Sequence, residues 1–190
     1  NLRFLDWVRR NREWVDSVSN GRIGYVWIPN TAVEGNRELF RWFYPQANKD
    51  AMIFDDRYNG GGFIPYNMIE LIDRPVLNFW ARRNAEPTSA PDVFHNGPKV
   101  CLINHYSSSG GDAFPYYFRK RGLGTLIGTR TWGGLIGLTG QPGFVDGGGV
   151  NVPTFRFFDT NGKWVIENEG VSPDIEVIDA PDLVARGQDP

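Results

Sequence analysis

Two glycine-rich turns carry the residue types with the clearest chemical potential. Ser107-Ser108-Ser109-Gly110-Gly111 follows an apolar run at 99–104 and leads into a helical pattern that ends near Arg121. A serine at such a strand-to-helix corner sits beside the free N–H groups and positive dipole end of the helix. That setting suits a nucleophile whose attack creates negative charge, and the N–H of Gly110 is placed to donate to the resulting oxyanion. The same serines also satisfy a plain helix cap. Asn59-Gly60-Gly61-Gly62 ends a second apolar run at 51–54. Three successive residues without Cβ let several amides face one open space, as oxyanion stabilisation requires; a tight packed turn explains the same composition. Neither turn has the G-x-G-x-x-G spacing or a Gly-Lys-Ser/Thr ending, so a dinucleotide or P-loop phosphate site is not indicated.

The elements around these turns follow from periodicity. Residues 2–18 carry Leu5, Val8, Trp14, Val15 and Val18 among charged residues, an amphipathic helical pattern closed by Asn20-Gly21. A short strand is expected over 22–28, stopped by Pro29, then a helix over 34–47, a strand over 51–54 and a helix over 65–72. Residues 74–98, with four prolines, read as an irregular surface excursion. A buried strand at 99–104 and the helix to Arg121 follow, with Gly122 as its C-cap glycine. Further strands are expected at 125–127, 150–158 and 163–167. This alternation predicts an α/β fold, a mostly parallel sheet flanked by helices, in which sites form at the carboxyl ends of strands. Asp55 and Asp56 point to opposite faces as neighbours in a strand, and Asp56 with Arg57 is expected to organise the glycine turn. Asp146 with Gly147-Gly148-Gly149 reads as a β-turn. The aromatic residues read as core, except Trp132, a candidate pocket wall.

Composition narrows the classes. The 190 residues are 41% hydrophobic, enough for a core, so the chain is no disordered tail. Twenty basic against 22 acidic residues leave a formal charge of −2, which gives no electrostatic case for nucleic acid or an anionic membrane. The longest uncharged run, 131–145, holds five glycines and a proline and is no transmembrane helix. Cys101 is the single cysteine and no Cys/His cluster has zinc spacing; no cofactor is expected. With one unpaired cysteine and no signal peptide pattern, the default location is the cytoplasm. The chain begins with Asn, and it reads as a piece of a longer polypeptide.

Taken together, the motifs resemble the C-terminal processing peptidase family, and most closely its tricorn protease branch. The matching residues are Arg22-Ile23-Gly24-Tyr25-Val26, Asp56-Arg57-Tyr58-Asn59-Gly60-Gly61-Gly62, Ser109-Gly110-Gly111-Asp112, the stretch from Leu123-Gly124 through Gly128-Thr129-Arg130-Thr131-Trp132-Gly133-Gly134, and Glu167-Asn168-Glu169-Gly170-Val171-Ser172-Pro173-Asp174. The resemblance implies a Clp protease/crotonase-like spiral of β-β-α units. It implies a serine endopeptidase domain that cleaves peptides through an acyl-enzyme on Ser109, three residues before the acidic Asp112. It also implies an oxyanion hole from Gly110 and Gly62, and Glu167 as the acid that completes the catalytic set.

Two departures refine this expectation. Where the processing branch has a catalytic lysine this chain has Gly134, and no lysine occurs between Lys120 and Lys163, so a Ser–Lys mechanism is disfavoured. The tricorn branch instead uses a histidine upstream of its PDZ domain, which places the base before residue 1. Residues 1–20 would then be a linker helix from that missing domain, and 21–190 the catalytic core. His105 and His95 are weak substitutes for the base. Gly110 also departs from the branch's pattern, so no P1 preference is carried over. The resemblance further implies a homo-oligomer. A non-catalytic relative binding a peptide or apolar ligand, and acyl-CoA chemistry on the same scaffold, remain the competing readings.

Overall fold

Short apolar runs bounded by glycine, proline and polar turns make the strands, and longer amphipathic stretches make the helices between them. The structure is a computed structural model describing residues 2–140 and 142–189. Helix α1 (Leu2–Val18) is followed by β1 (Ile23–Trp27), α2 (Val33–Phe43), β2 (Ala51–Asp55), α3 (Pro65–Ile72), β3 (Asn78–Trp80) and β4 (Thr88–Ala90). Then come β5 (Lys99–Ile103), α4 (Gly110–Lys120), β6 (Gly124–Gly128), β7 (Gly137–Leu138), β8 (Pro153–Phe155), β9 (Ile175–Glu176) and α5 (Pro181–Ala185). β1, β2, β5, β6 and β9 lie side by side in chain order, every neighbour parallel, with Ile23 opposite Ala51, Met52 opposite Lys99 and Lys99 opposite Gly124.

Because the strand order never reverses, successive right-handed crossovers lay their helices on one face. Met52, Phe54, Cys101, Ile103 and Leu126 point to that face and are buried against Leu39 and Phe43 of α2, Met68 and Ile72 of α3, and Phe114 and Phe118 of α4. Each such side chain contributes about 1.5–3 kcal/mol, so this layer is what holds the strand ends in place. The other face carries Ile23, Tyr25, Trp27 and Ile53 against Val8 and Val15 of α1. The single thiol, Cys101, is buried in the first layer, and burial pushes its pKa well up.

Several expected boundaries shift for local reasons. The α-helix expected over 34–47 stops at Phe43 and tightens into a 3-10 turn at Tyr44–Gln46, because Pro45 has no N–H to continue the ladder. The excursion at 74–98 contains the antiparallel ribbon β3–β4, whose Phe79 and Trp80 are exposed. The strand expected over 150–158 contracts to β8, paired with β7 apart from the main sheet, and the one at 163–167 contracts to a single bridge between Trp164 and Phe158. Residues 144–148 form the expected turn, with Asp146 accepting from the Gly148 N–H at 3.0 Å.

Candidate active site

All five core strands run the same way, so the loops after β1, β2, β5 and β6 meet at one sheet edge. The loop after β5 supplies Ser109, which occupies the position before the first residue of α4 with φ 56° and ψ −116°. A left-handed φ costs a non-glycine residue about 1–3 kcal/mol. The Ser109 side chain makes no capping hydrogen bond, which removes the helix-cap reading for this serine. Ser107 is the turn residue instead: its buried hydroxyl donates to the Asp56 carbonyl at 2.8 Å.

The glycine turn after β2 is pressed against this corner. A Cβ on Gly61 would lie 2.8 Å from Ser109 Cβ and 3.1 Å from the Gly110 nitrogen, and Gly61 and Gly62 both have positive φ, 85° and 141°. Side-chain bulk is therefore excluded at the two places where the loops touch. Asn59 organises the turn. Its Oδ1 accepts from the Gly61 N–H at 2.8 Å, its carbonyl accepts from the Ser108 N–H at 3.0 Å, and its Nδ2 donates to Asp56 Oδ1 at 2.8 Å. Among the described residues, the N–H groups of Gly62 and Gly110 have no hydrogen-bond acceptor. These two donors and the Ser109 corner occupy one small region.

The expected pairing of Asp56 with Arg57 is corrected. Arg57 turns to the α1 face, where Nη2 and Oδ2 of Asp55 are 2.7 Å apart, and Asp55 also accepts from the Tyr25 hydroxyl at 2.5 Å. Arg57 also pairs with Asp189, beyond α5, whose Oδ2 accepts from Trp7 Nε1 at 2.9 Å and Asn11 Nδ2 at 2.7 Å. Asp56 stays behind the glycine turn with one carboxyl oxygen unpartnered, and burial pushes its pKa well above the usual carboxylate range.

The loop after β6 closes the other side. Gly134 lies beneath the Trp132 ring, and its carbonyl accepts from the Ser109 N–H at 3.1 Å. Thus position 134, glycine rather than lysine, contributes a backbone oxygen. Asp112 in the first turn of α4 holds this loop: Oδ1 accepts from the Thr131 hydroxyl at 2.5 Å and from the Gly133 N–H at 2.7 Å. Burial raises its pKa as well. Glu167 Oε2 accepts from the N–H groups of both Leu135 and Ile136, each at 2.7 Å. The carboxylate therefore shapes the strap that follows Gly134. Trp132 itself is exposed.

The two histidines are placed differently. His95 precedes β5, so it lies at the opposite edge of the sheet, about 16 Å of strand away from the loops just described. It is buried there with Nδ1 2.9 Å from the Ala47 carbonyl oxygen. His105 is exposed and packs on Tyr106 with ring centroids 3.8 Å apart. Sequence reasoning missed Thr31, which lies buried between Gly62 and Gly110. The available signal was topological: the loop after the first parallel strand must reach the same edge as the two glycine turns.

Known proteins share this arrangement of elements. The model of peptidase family S41 matches residues 22–177. The tricorn protease of Thermoplasma acidophilum is 36% identical over 189 residues, covering 100% of this chain and 18% of the relative. A tricorn protease homolog of Saccharolobus solfataricus is 35% identical, covering 99% of this chain and 18% of the relative. The chain thus spans about a fifth of the length of these curated relatives. The crystal structure of the tricorn protease superposes with a TM-score of 0.88 at 37% identity, covering 97% of this chain and 18% of the other. The photosystem II D1 C-terminal processing protease gives 0.60 at 25% identity, covering 82% and 42%. Matched along most of its length, from the first sheet strand to the last, the chain belongs to peptidase family S41.

Proposed function

We propose that the chain is the catalytic domain of a tricorn-like serine endopeptidase with Ser109 as nucleophile. The observation that carries this reading is the uncapped Ser109 at a strained strand-to-helix corner, against two unpartnered amides. Ser109 Oγ attacks a peptide carbonyl carbon, and the carbonyl oxygen takes up negative charge facing the N–H groups of Gly110 and Gly62. The Oγ proton passes to a general base and then to the leaving amine as the C–N bond breaks. Water hydrolyses the acyl-enzyme by the reverse sequence, freeing Ser109. Glu167 holds the strap after Gly134 with Oε2, while Oε1 accepts no hydrogen bond among the described residues.

The base is proposed to be a histidine outside these 190 residues, from an upstream segment of the same polypeptide. The placement of His95 at the far sheet edge and of His105 against Tyr106 supports this. The same reading carries residues 1–20 as a linker from an upstream PDZ domain, peptides as substrates, assembly with further copies of the chain and a cytoplasmic location. No helix among the described residues is long and apolar enough to cross a membrane. The test is labelling with a fluorophosphonate. The full-length protein should be modified at Ser109 and the 190-residue piece should react far more slowly. Equal rapid labelling of both refutes the external base, and no labelling of the full-length protein refutes the nucleophile.

A further inference from the structure

Thr31 stands between the two backbone donors of the candidate oxyanion hole. Its N–H donates to the Gly61 carbonyl at 2.9 Å and its carbonyl accepts from the Ile64 N–H at 2.9 Å, so its backbone brackets Gly62 from both sides. The Gly62 Cα is packed so tightly on the Thr31 carbonyl group that a Cβ there would collide with it. A Cβ on Gly110 would collide with Thr31 Oγ1 and would also lie 2.8 Å from the Gly62 nitrogen. One residue therefore touches both donors. Its side chain is fully buried, and Oγ1 has no hydrogen-bond partner. A buried hydroxyl without a partner is destabilising. What this one supplies is bulk in a fixed position, because branching at Cβ restricts χ1.

We propose that Thr31 is a positioning residue for peptide-bond cleavage, a spacer whose side chain sets the separation of the Gly62 and Gly110 amides. The inference rests on the assignment of Ser109 and these amides under Proposed function. Only the size and rotamer of the side chain matter in it; the hydroxyl proton has no part. The spacer role predicts an uncommon order among variants. Thr31→Val keeps the shape and removes the orphaned hydroxyl. Thr31→Ala removes the spacer, and Thr31→Ser keeps the oxygen but frees its rotamer.

The experiment uses the full-length protein, with fluorophosphonate labelling of Ser109, steady-state cleavage of a fluorogenic peptide, and melting temperature. Thr31→Val should label and turn over within about threefold of the parent and melt no lower, since an orphaned buried hydroxyl is removed. Thr31→Ala should lose at least about tenfold in kcat and labelling rate with KM within about twofold, since oxyanion contacts act in the transition state. Thr31→Ser should fall between them, which keeps the test decisive if the alanine variant does not fold. Unchanged kcat in both the alanine and serine variants overturns the spacer. A valine variant as impaired as the alanine variant overturns it too, and makes the hydroxyl itself a donor to the reacting oxygen. If the parent protein is not labelled, the assignment of Ser109 fails first and this inference falls with it.

Discussion

The left-handed backbone at Ser109 sets stability against activity, and two substitutions separate them. Ser109→Ala removes the hydroxyl but keeps a Cβ at φ 56°, so the strain stays. Ser109→Gly removes both. A non-glycine residue in such a region costs about 1–3 kcal/mol. Glycine gives back about 0.5–1 kcal/mol through the greater freedom of its unfolded chain. The absence of a side chain at Gly61 leaves room for the Ser109 Cβ, since a Cβ on Gly61 would lie 2.8 Å from it. The net expectation is a glycine variant about 1 kcal/mol more stable than the alanine variant. For a domain of this size that is about 2–4 °C in melting temperature. Both variants should be inert to fluorophosphonate. Differential scanning calorimetry of the two, side by side, provides the measurement. If Ser109→Gly melts at or below Ser109→Ala, the corner stores no strain and the reasoning that singles out this serine is wrong.

Two further outcomes follow from the half-buried Glu167 and the buried Asp56. Glu167→Ala should lower stability by about 1–3 kcal/mol, because two amides lose a charged acceptor, and Glu167→Gln should recover part of it. Hydrogen exchange at Leu135 and Ile136 reads the effect directly, and full protection of both amides in the alanine variant would disprove the strap. Burial raises the pKa of Asp56 and Asp112, so the native state keeps protons that the unfolded chain releases above about pH 4. Stability should therefore fall as pH rises from there toward the folded pKa, and Asp56→Asn should flatten that slope. A denaturant series from pH 4 to 8 with the same slope in both proteins would show that Asp56 does not titrate in this way.

Much of this was legible in residue order. The segments 2–18 and 65–72 emerge as the helices expected, and no proline falls in the interior of either. The parallel sheet follows from strands and helices alternating, and both glycine turns fall at its carboxyl edge, as such sheets require. What was hidden depends on contacts across the chain. β9 has two residues, too few to show alternation, and is recruited by pairing Ile127 with Ile175. Residues 150–167 carry β-prone types, yet most find no strand to pair with. Arg57 sits next to Asp56 in sequence but turns to Asp55, since alternation sends neighbouring side chains to opposite faces. Thr31 carries no motif at all; topology brings its loop to the right edge, but its contact with both Gly62 and Gly110 is visible only in the fold.

The clasp between Arg57 and Asp189 has a consequence for how the domain is made. A ribosome delivers the arginine 132 residues before its second carboxylate, so until then the guanidinium has only Asp55 to face. Through that interval Trp7 and Asn11 of the first helix also lack their distant acceptor. Asp189→Ala would return a mature molecule to this nascent condition. The sheet and its crossover layer would be spared, and the first helix would be the part that loosens.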